Sequence, residues 1–265
     1  MLALKHVGGT FKVLHDQLVA KDIDFGSLEA LVIAPDLRAH AIAIWSHRVE
    51  TEYRSIQIMT RFAGECLAAG DPLEIHAGAV HAIADELRHT ALCSAVVEAL
   101  GGQPSLPDPV EEPLSTEFLA LPAAARALGT AVGMLAISET LSVALIEDLY
   151  SRVTEPAIKA VLHATLADED DHREYGWDYV SASLGRFDAE GRRYARMVVD
   201  ATLRPHEAQV QASLGTVDAS EHDLARHPEP ELAALGLLSP VRQALVIRET
   251  LRAKVLPRLR DLGLL

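Results

Sequence analysis

Apolar residues recur along this chain at spacings of three and four, in runs long enough for extended helices. Nowhere do they keep the strict alternation of a half-buried strand. The spacing predicts a first long helix from Pro35 to about Ala69, with Trp45, Val49, Ile56, Met59 and Ala63 on its apolar stripe. Pro35 suits a first-turn position, and Gly70-Asp71-Pro72 breaks the pattern. A second helix runs from about Pro72 to Leu100, striped by Ala79, Ile83, Thr90, Cys93, Val97 and Leu100, and Gly101-Gly102 ends it. A connector with Pro104, Pro107, Pro109 and Pro113 follows. The third helix, from about Pro122 to Val153, carries Leu128, Val132, Leu135, Ser142, Ile146 and Leu149. Thr154-Glu155-Pro156 is a stop and restart, and a fourth helix with Ile158, Leu162, Thr165, Gly176 and Tyr179 continues to about Leu184.

Outside these four helices the pattern is shorter. Thr10 can cap a short helix through about Ala20, and Asp22–Gly26 reads as a turn. Asp188 can cap a fifth helix that Pro205 kinks or splits before Gly215. Residues 216–231 look loop-like, and Ser239-Pro240 is a cap and first-turn proline for a last helix to about Arg260. The fold class is therefore all-α. A four-helix bundle over 35–184 follows an N-terminal segment, 1–34. A C-terminal helical extension, 185–265, is expected to pack on the bundle as part of a single domain.

Composition narrows the function. The chain has 265 residues, 5% aromatic, and 38 acidic against 24 basic side chains, for a net charge of −14. That balance argues against nucleic acid held through bulk charge. Two cysteines are too few for a disulfide scaffold, a four-thiolate centre or an iron–sulfur cluster. With no basic-then-apolar leader and a longest uncharged helical run of only Ala127–Ser138, the expectation is a cytoplasmic protein with no membrane partner.

Each of the four long helices sets a glutamate on its apolar stripe: Glu52, Glu86, Glu139 and Glu169. One unpaired buried carboxylate costs several kcal/mol, and four together repel one another. Something cationic must compensate. His89 follows Glu86 by three residues and His172 follows Glu169 by three, so each pair lies on one helix face. Glu-x-x-His on two helices, with a Glu on each of the others, is the pattern of carboxylate-bridged di-metal bundles. Glu50 falls with Ser46, Tyr53, Arg54 and Gln57 on a polar face, so Glu52 is preferred. Helix rise places the two glutamates of each hairpin at nearly one height. The same rise separates Cys66 from Cys93, so no disulfide is expected.

Asp85-Glu86-Leu87-Arg88-His89 and Asp168-Glu169-Asp170-Asp171-His172 resemble the paired Asp-Glu-x-x-His runs of the ferritin-like di-iron carboxylate superfamily. The resemblance covers about residues 37–184; the first run looks like that of bacterial multicomponent monooxygenase hydroxylases and related di-iron oxygenases, and the motifs do not select one subfamily. The resemblance implies a ferritin-like bundle with a long crossover between helices two and three. It also implies two iron ions, or manganese, held by Glu52, Glu86, His89, Glu139, Glu169 and His172. In such enzymes the Asp before each ligand Glu takes the outer N–H of a ligand histidine, a role Asp85 and Asp168 match. Arg88 would neutralise part of that outer layer. The chain departs from the pattern at Val143, where the hydroxylases carry Thr, and at Thr165, where the N-oxygenase branch carries a third His.

What this implies is an O2-activating oxygenase or oxidase, with a small-molecule substrate, O2 and an external electron donor as partners. The chain carries no flavin motif and no cysteine cluster to supply electrons itself. Alternatives are a ferroxidase or di-manganese catalase-like protein, or a bundle with a structural metal. The residues beyond 184 favour the oxygenase, as a cover for the metal pocket or a homodimer interface. His76 and His81 read as surface residues, His163 lies off the Glu169 face, and His206, His222 and His227 show no ligand spacing. Tyr179 reads as core packing.

Overall fold

The structure is a computed structural model that describes residues 2–3, 23–106, 114–215 and 223–265. The expected helix after Thr10 lies outside the described residues, as does most of the crossover between Leu106 and Leu114. The chain is all-helical apart from a two-residue antiparallel pairing of Leu2–Ala3 with Ser105–Leu106.

Among the described residues, six long helices carry the fold. α1 spans Pro35–Ala69 and stops at Gly70, whose φ of 75° only glycine adopts freely; Asp71 N–H then reaches the Cys66 carbonyl to close the end. α2 spans Leu73–Ala99. α3 spans Ala123–Arg152. α4 spans Pro156–Ser183, opened by the Glu155 carboxylate, which accepts the Ile158 N–H at 2.7 Å. α5 spans Ala189–Gly215, capped by Asp188, which accepts from Glu190 and Gly191. α6 runs as Pro240–Thr250, Leu251–Val255 and Leu256–Asp261, and Ser239 caps it by accepting the Arg242 N–H. Single turns sit at Gly26–Glu29 and Thr116–Leu119, with a short helix at Glu229–Ala234.

The structure departs from the hydrophobic pattern in four places. Pro205 stays inside α5 and does not split it. His206 is therefore helical, not in irregular sequence. The stretch expected to be loop-like contains the start of the helix Glu229–Ala234. The apolar window in α3 is longer than its uncharged run and would span a bilayer by length, but 72% of it is buried against neighbouring helices.

α3 is not uniform. Ala131–Ser138 winds as a π-helix, and the Ser138 hydroxyl donates to the Gly133 carbonyl five residues back. α4 lies hard against this widened stretch. A Cβ on Gly176 would stand 2.3 Å from the Leu135 carbonyl, so only glycine permits the approach. The sequence reading put Gly176 on the buried stripe, and its reason is this contact.

The apolar core falls into two groups. One joins the C-terminal halves of α1 and α4 (Met59, Phe62, Trp177, Tyr179) to the N-terminal halves of α2 and α3 (Ala79, Ala82, Leu128, Leu135), with α5 and α6 packed on it. The other joins the opposite halves (Trp45, Val49; Leu92, Val96; Leu149; Ile158, Leu162) and the turn Leu232–Leu237. So α2 and α3 run one way and α1 and α4 the other. Between the two groups, each helix contributes polar residues.

Candidate metal centre

The polar layer is buried. Glu86 is 1% exposed, His89 0%, Glu169 3% and His172 3%, with Glu139 at 9%. Glu52 keeps 16% of its side chain exposed. Glu50, two residues away, is 34% exposed beside His47, which accords with the preference for Glu52.

The two histidines share the same two carboxylates. His89 Nδ1 stands 3.7 Å from Glu86 and 3.3 Å from Glu169, and His172 Nδ1 stands 3.6 Å from Glu86 and 3.5 Å from Glu169. In each carboxylate one oxygen faces His89 and the other faces His172. Glu52 reaches His89 Nδ1 at 3.7 Å. Ligand atoms of Glu52, Glu86, His89 and Glu169 all lie within 4.8 Å of one another, a group able to hold a metal ion. Glu139, on the first turn after the π-helix, lies close enough to Glu169 for their charges to interact.

The outer face of each histidine is fixed from the other helix. His172 Nε2 lies 3.1 Å from Asp85 on α2, and His89 Nε2 lies 3.0 Å from Asp168 on α4. Beside a carboxylate Nε2 carries the proton, which leaves the inward Nδ1 as the ligand atom. Arg88 serves both sides: it pairs with Asp168 and stands 3.7 Å from Asp85. The second motif lacks an arginine of its own, and this one spans the gap. His81, expected on the surface, is 74% exposed but sits 3.3 Å from Asp85.

Four inward atoms have no hydrogen-bond partner: Glu86 Oε2, Glu169 Oε2, His89 Nδ1 and His172 Nδ1. Buried polar atoms are almost always satisfied, and these four fall into two facing pairs, His89 Nδ1 with Glu86 Oε2 and His172 Nδ1 with Glu169 Oε2. Separations of 3.3–3.7 Å exceed direct hydrogen bonds. They match donors that share an ion, since atoms about 2.1 Å from one metal are about 3.0–3.6 Å apart. Oxygen and imidazole donors of this kind suit a divalent metal ion.

Electrostatics point the same way. Burial pushes the Glu86 carboxyl up to about 8, aided by the charges of Glu52 and Glu169. Burial, with Glu169, Glu86 and Glu52 nearby, also holds Glu139 well above the carboxylate range. Burial works against the imidazolium of His89, but the surrounding carboxylates outweigh it and raise His89 well above its ordinary value; His172 rises for the same reason. Protons thus stand where cationic charge is needed.

A cavity of about 570 Å³ adjoins the layer on one side. Its walls come from α1, α3, α4 and the C-terminal elements, including Leu145, Leu162, Gln209 and Leu238. Of the six predicted ligands only Glu52 lines it, while Thr165, where a third histidine was looked for, forms part of its wall. Arg48 also lines it, one helical turn before Glu52. The sequence reading passed over Arg48, though its spacing of four from Glu52 puts it on the same inward face.

The remaining candidates lie apart from the layer. Tyr179 packs edge-on against Phe62 and donates to Asp71 at the α1–α2 turn, a core role. Exposed His163 stacks on Tyr150, and His227 pairs with Asp36. Cys66 and Cys93 are free and buried, in opposite halves of the core. No family model, curated protein or solved structure matches this chain.

Proposed function

We propose that this protein is an O2-activating di-iron oxygenase or oxidase of the ferritin-like kind, acting on a small molecule. The observation that carries the reading is the set of four buried, unpartnered atoms on Glu86, Glu169, His89 and His172, in which each histidine nitrogen faces a carboxylate oxygen. Glu52, Glu86, His89, Glu139, Glu169 and His172 would hold the metal ions, with His89 beside Glu52 and His172 on the other side of Glu86 and Glu169. Two divalent ions would offset the four carboxylate charges. Bound iron would supply the chemistry of O2 reduction.

The chain's own groups do the rest. Asp85 and Asp168 hold the imidazole rings and keep their Nε2 protons outward. Arg88 pairs with Asp168 and stands beside Asp85, which helps to hold both carboxylates in place. The apolar halves above and below the layer exclude water, which strengthens every charge interaction inside it. The cavity beside Glu52 gives a substrate of modest size a place to meet the centre, and it favours an oxygenase over a storage protein. Electrons would come from an external donor.

The test is O2 uptake by the iron-reconstituted chain under chemical reductant, followed with an oxygen electrode. The proposal expects reductant-dependent consumption that is lost in Glu86→Ala. Two bound irons with no O2 consumption would leave a structural metal and contradict the oxygenase reading. O2 release from hydrogen peroxide by a manganese-loaded chain would point to the catalase reading.

A further inference from the structure

Arg48 is a permanent cation in the wall of an otherwise largely apolar cavity. Its guanidinium lies over the Trp45 ring at 4.2 Å, and its Nη2 donates to the Gly236 carbonyl at 2.8 Å. Trp45 Nε1 in turn donates to the Leu235 carbonyl at 3.0 Å, so the same turn fixes both side chains. Arg48 is therefore held in one geometry. Its Nη1 is nevertheless buried with no hydrogen-bond partner, and among the described residues no carboxylate comes within ion-pairing distance. Burial works against its charge, and Glu52, one turn along α1, offsets only part of that. A fixed, desolvated guanidinium with a spare N–H is costly unless something binds it.

Among the described residues that line the cavity, Arg48 carries the only permanent positive charge. His47 is 73% exposed and sits beside Glu50. A guanidinium fork matches a carboxylate bidentately. A phosphate ester, with its second negative charge, would find no second cation and would face Glu52.

We propose that the substrate is a carboxylic acid with an apolar body, its carboxylate held by Arg48. The inference rests on the oxygenase reading for calling that ligand a substrate. Arg48 stands about 6 Å along α1 from Glu52, so the atoms a few bonds from the carboxylate lie nearest the metal layer. Arg48 is a positioning residue in this scheme, since it binds the acid at a distance from the ions.

The test is calorimetric titration of octanoate, octanamide and octyl phosphate into the full chain, both metal-free and loaded with ferrous iron without O2. The expected result is octanoate binding at least about tenfold tighter than octanamide. That preference should vanish in Arg48→Met and survive in part in Arg48→Lys. Because Arg48 also holds the Gly236 turn, Leu145→Trp, which fills the cavity and leaves Arg48 alone, should abolish octanoate binding too. Crystals with 8-bromo-octanoate should place its carboxylate on Arg48 and its bromine in the cavity. Equal binding of acid and amide to the wild-type chain, tighter binding of octyl phosphate, or a carboxylate elsewhere would overturn the proposal. The metal-free arm separates the two readings. An Arg48-dependent preference without iron uptake sinks only the di-iron centre. Two bound irons with no acid preference sink only the carboxylate assignment.

Discussion

The two halves of the candidate centre offer nearly the same groups in different surroundings. One half holds His89 and Glu52, and Glu52 opens onto the cavity with Arg48 and Thr165. The other holds His172 and the buried Glu139, which follows the π-helix and is not among the residues that line this cavity. Glu86 and Glu169 are common to both. The difference separates two tasks. Under the proposed function, holding ions would ask for symmetry, whereas admitting a substrate would ask for one open side, which the cavity beside Glu52 would provide.

The largest effect comes from removing what the halves share. Glu86→Ala with Glu169→Ala is expected to take metal content, measured by elemental analysis, from two ions per chain to near zero. Glu52→Ala and Glu139→Ala should each cost about one ion. Stoichiometric iron in the double variant would mean the ions sit elsewhere.

Smaller effects follow from the outer layer. Asp168→Ala frees the ring of His89 and Asp85→Ala that of His172, and each should weaken metal affinity about 10- to 100-fold. If the halves are equivalent the two losses will be similar; a much larger loss at Asp168 would show that the cavity side holds its ion less firmly. Proton linkage tests both together. In the metal-free layer burial raises Glu86 to about 8 and the surrounding carboxylates raise both histidines, so the protonated forms are favoured. Metal uptake must expel those protons, so affinity should rise about tenfold per pH unit for each proton displaced. Titration in buffers of different ionisation enthalpy should show proton release, and uptake independent of pH would contradict it.

The smallest effect lies outside the centre, where α6 is clamped onto α3. Burial works to raise Asp148, but Arg242 and Arg152 outweigh it and hold its carboxyl below the usual range. A carboxylate depressed in the folded state stabilises fully above its unfolded value, and that contribution disappears as pH falls through the folded one. Asp148→Asn should therefore cost about 2 kcal/mol at neutral pH, and less below pH 4, by thermal unfolding. An equal loss at both pH values would assign the clamp to packing alone.

The long helices were legible because caps and breakers stand at their ends: Pro35 and Gly70 bound α1 where the pattern placed them. The six polar residues were legible because they interrupt apolar stripes at one height. Other features depend on how helices meet. Ile56 and Ile83 lie on the stripes but are only half-buried, while Ile58, Phe62 and Ala82 are fully buried, because neighbours cover a broader face than one seam. Ser142 and Ile146, read as core, line the cavity. The π-helix at Ala131–Ser138 leaves no mark in spacing, since its segment is apolar all round. Arg48 was hidden because its meaning comes from the turn at Gly236, nearly two hundred residues later.

The central claim is that two metal ions sit between Glu86 and Glu169. Anomalous diffraction at the iron edge, from crystals of the iron-reconstituted chain, tests it most directly. The account predicts two peaks bridged by Glu86 and Glu169, with His89 and His172 on opposite flanks. Full occupancy of a single ion, or no peak among these six side chains, would contradict it.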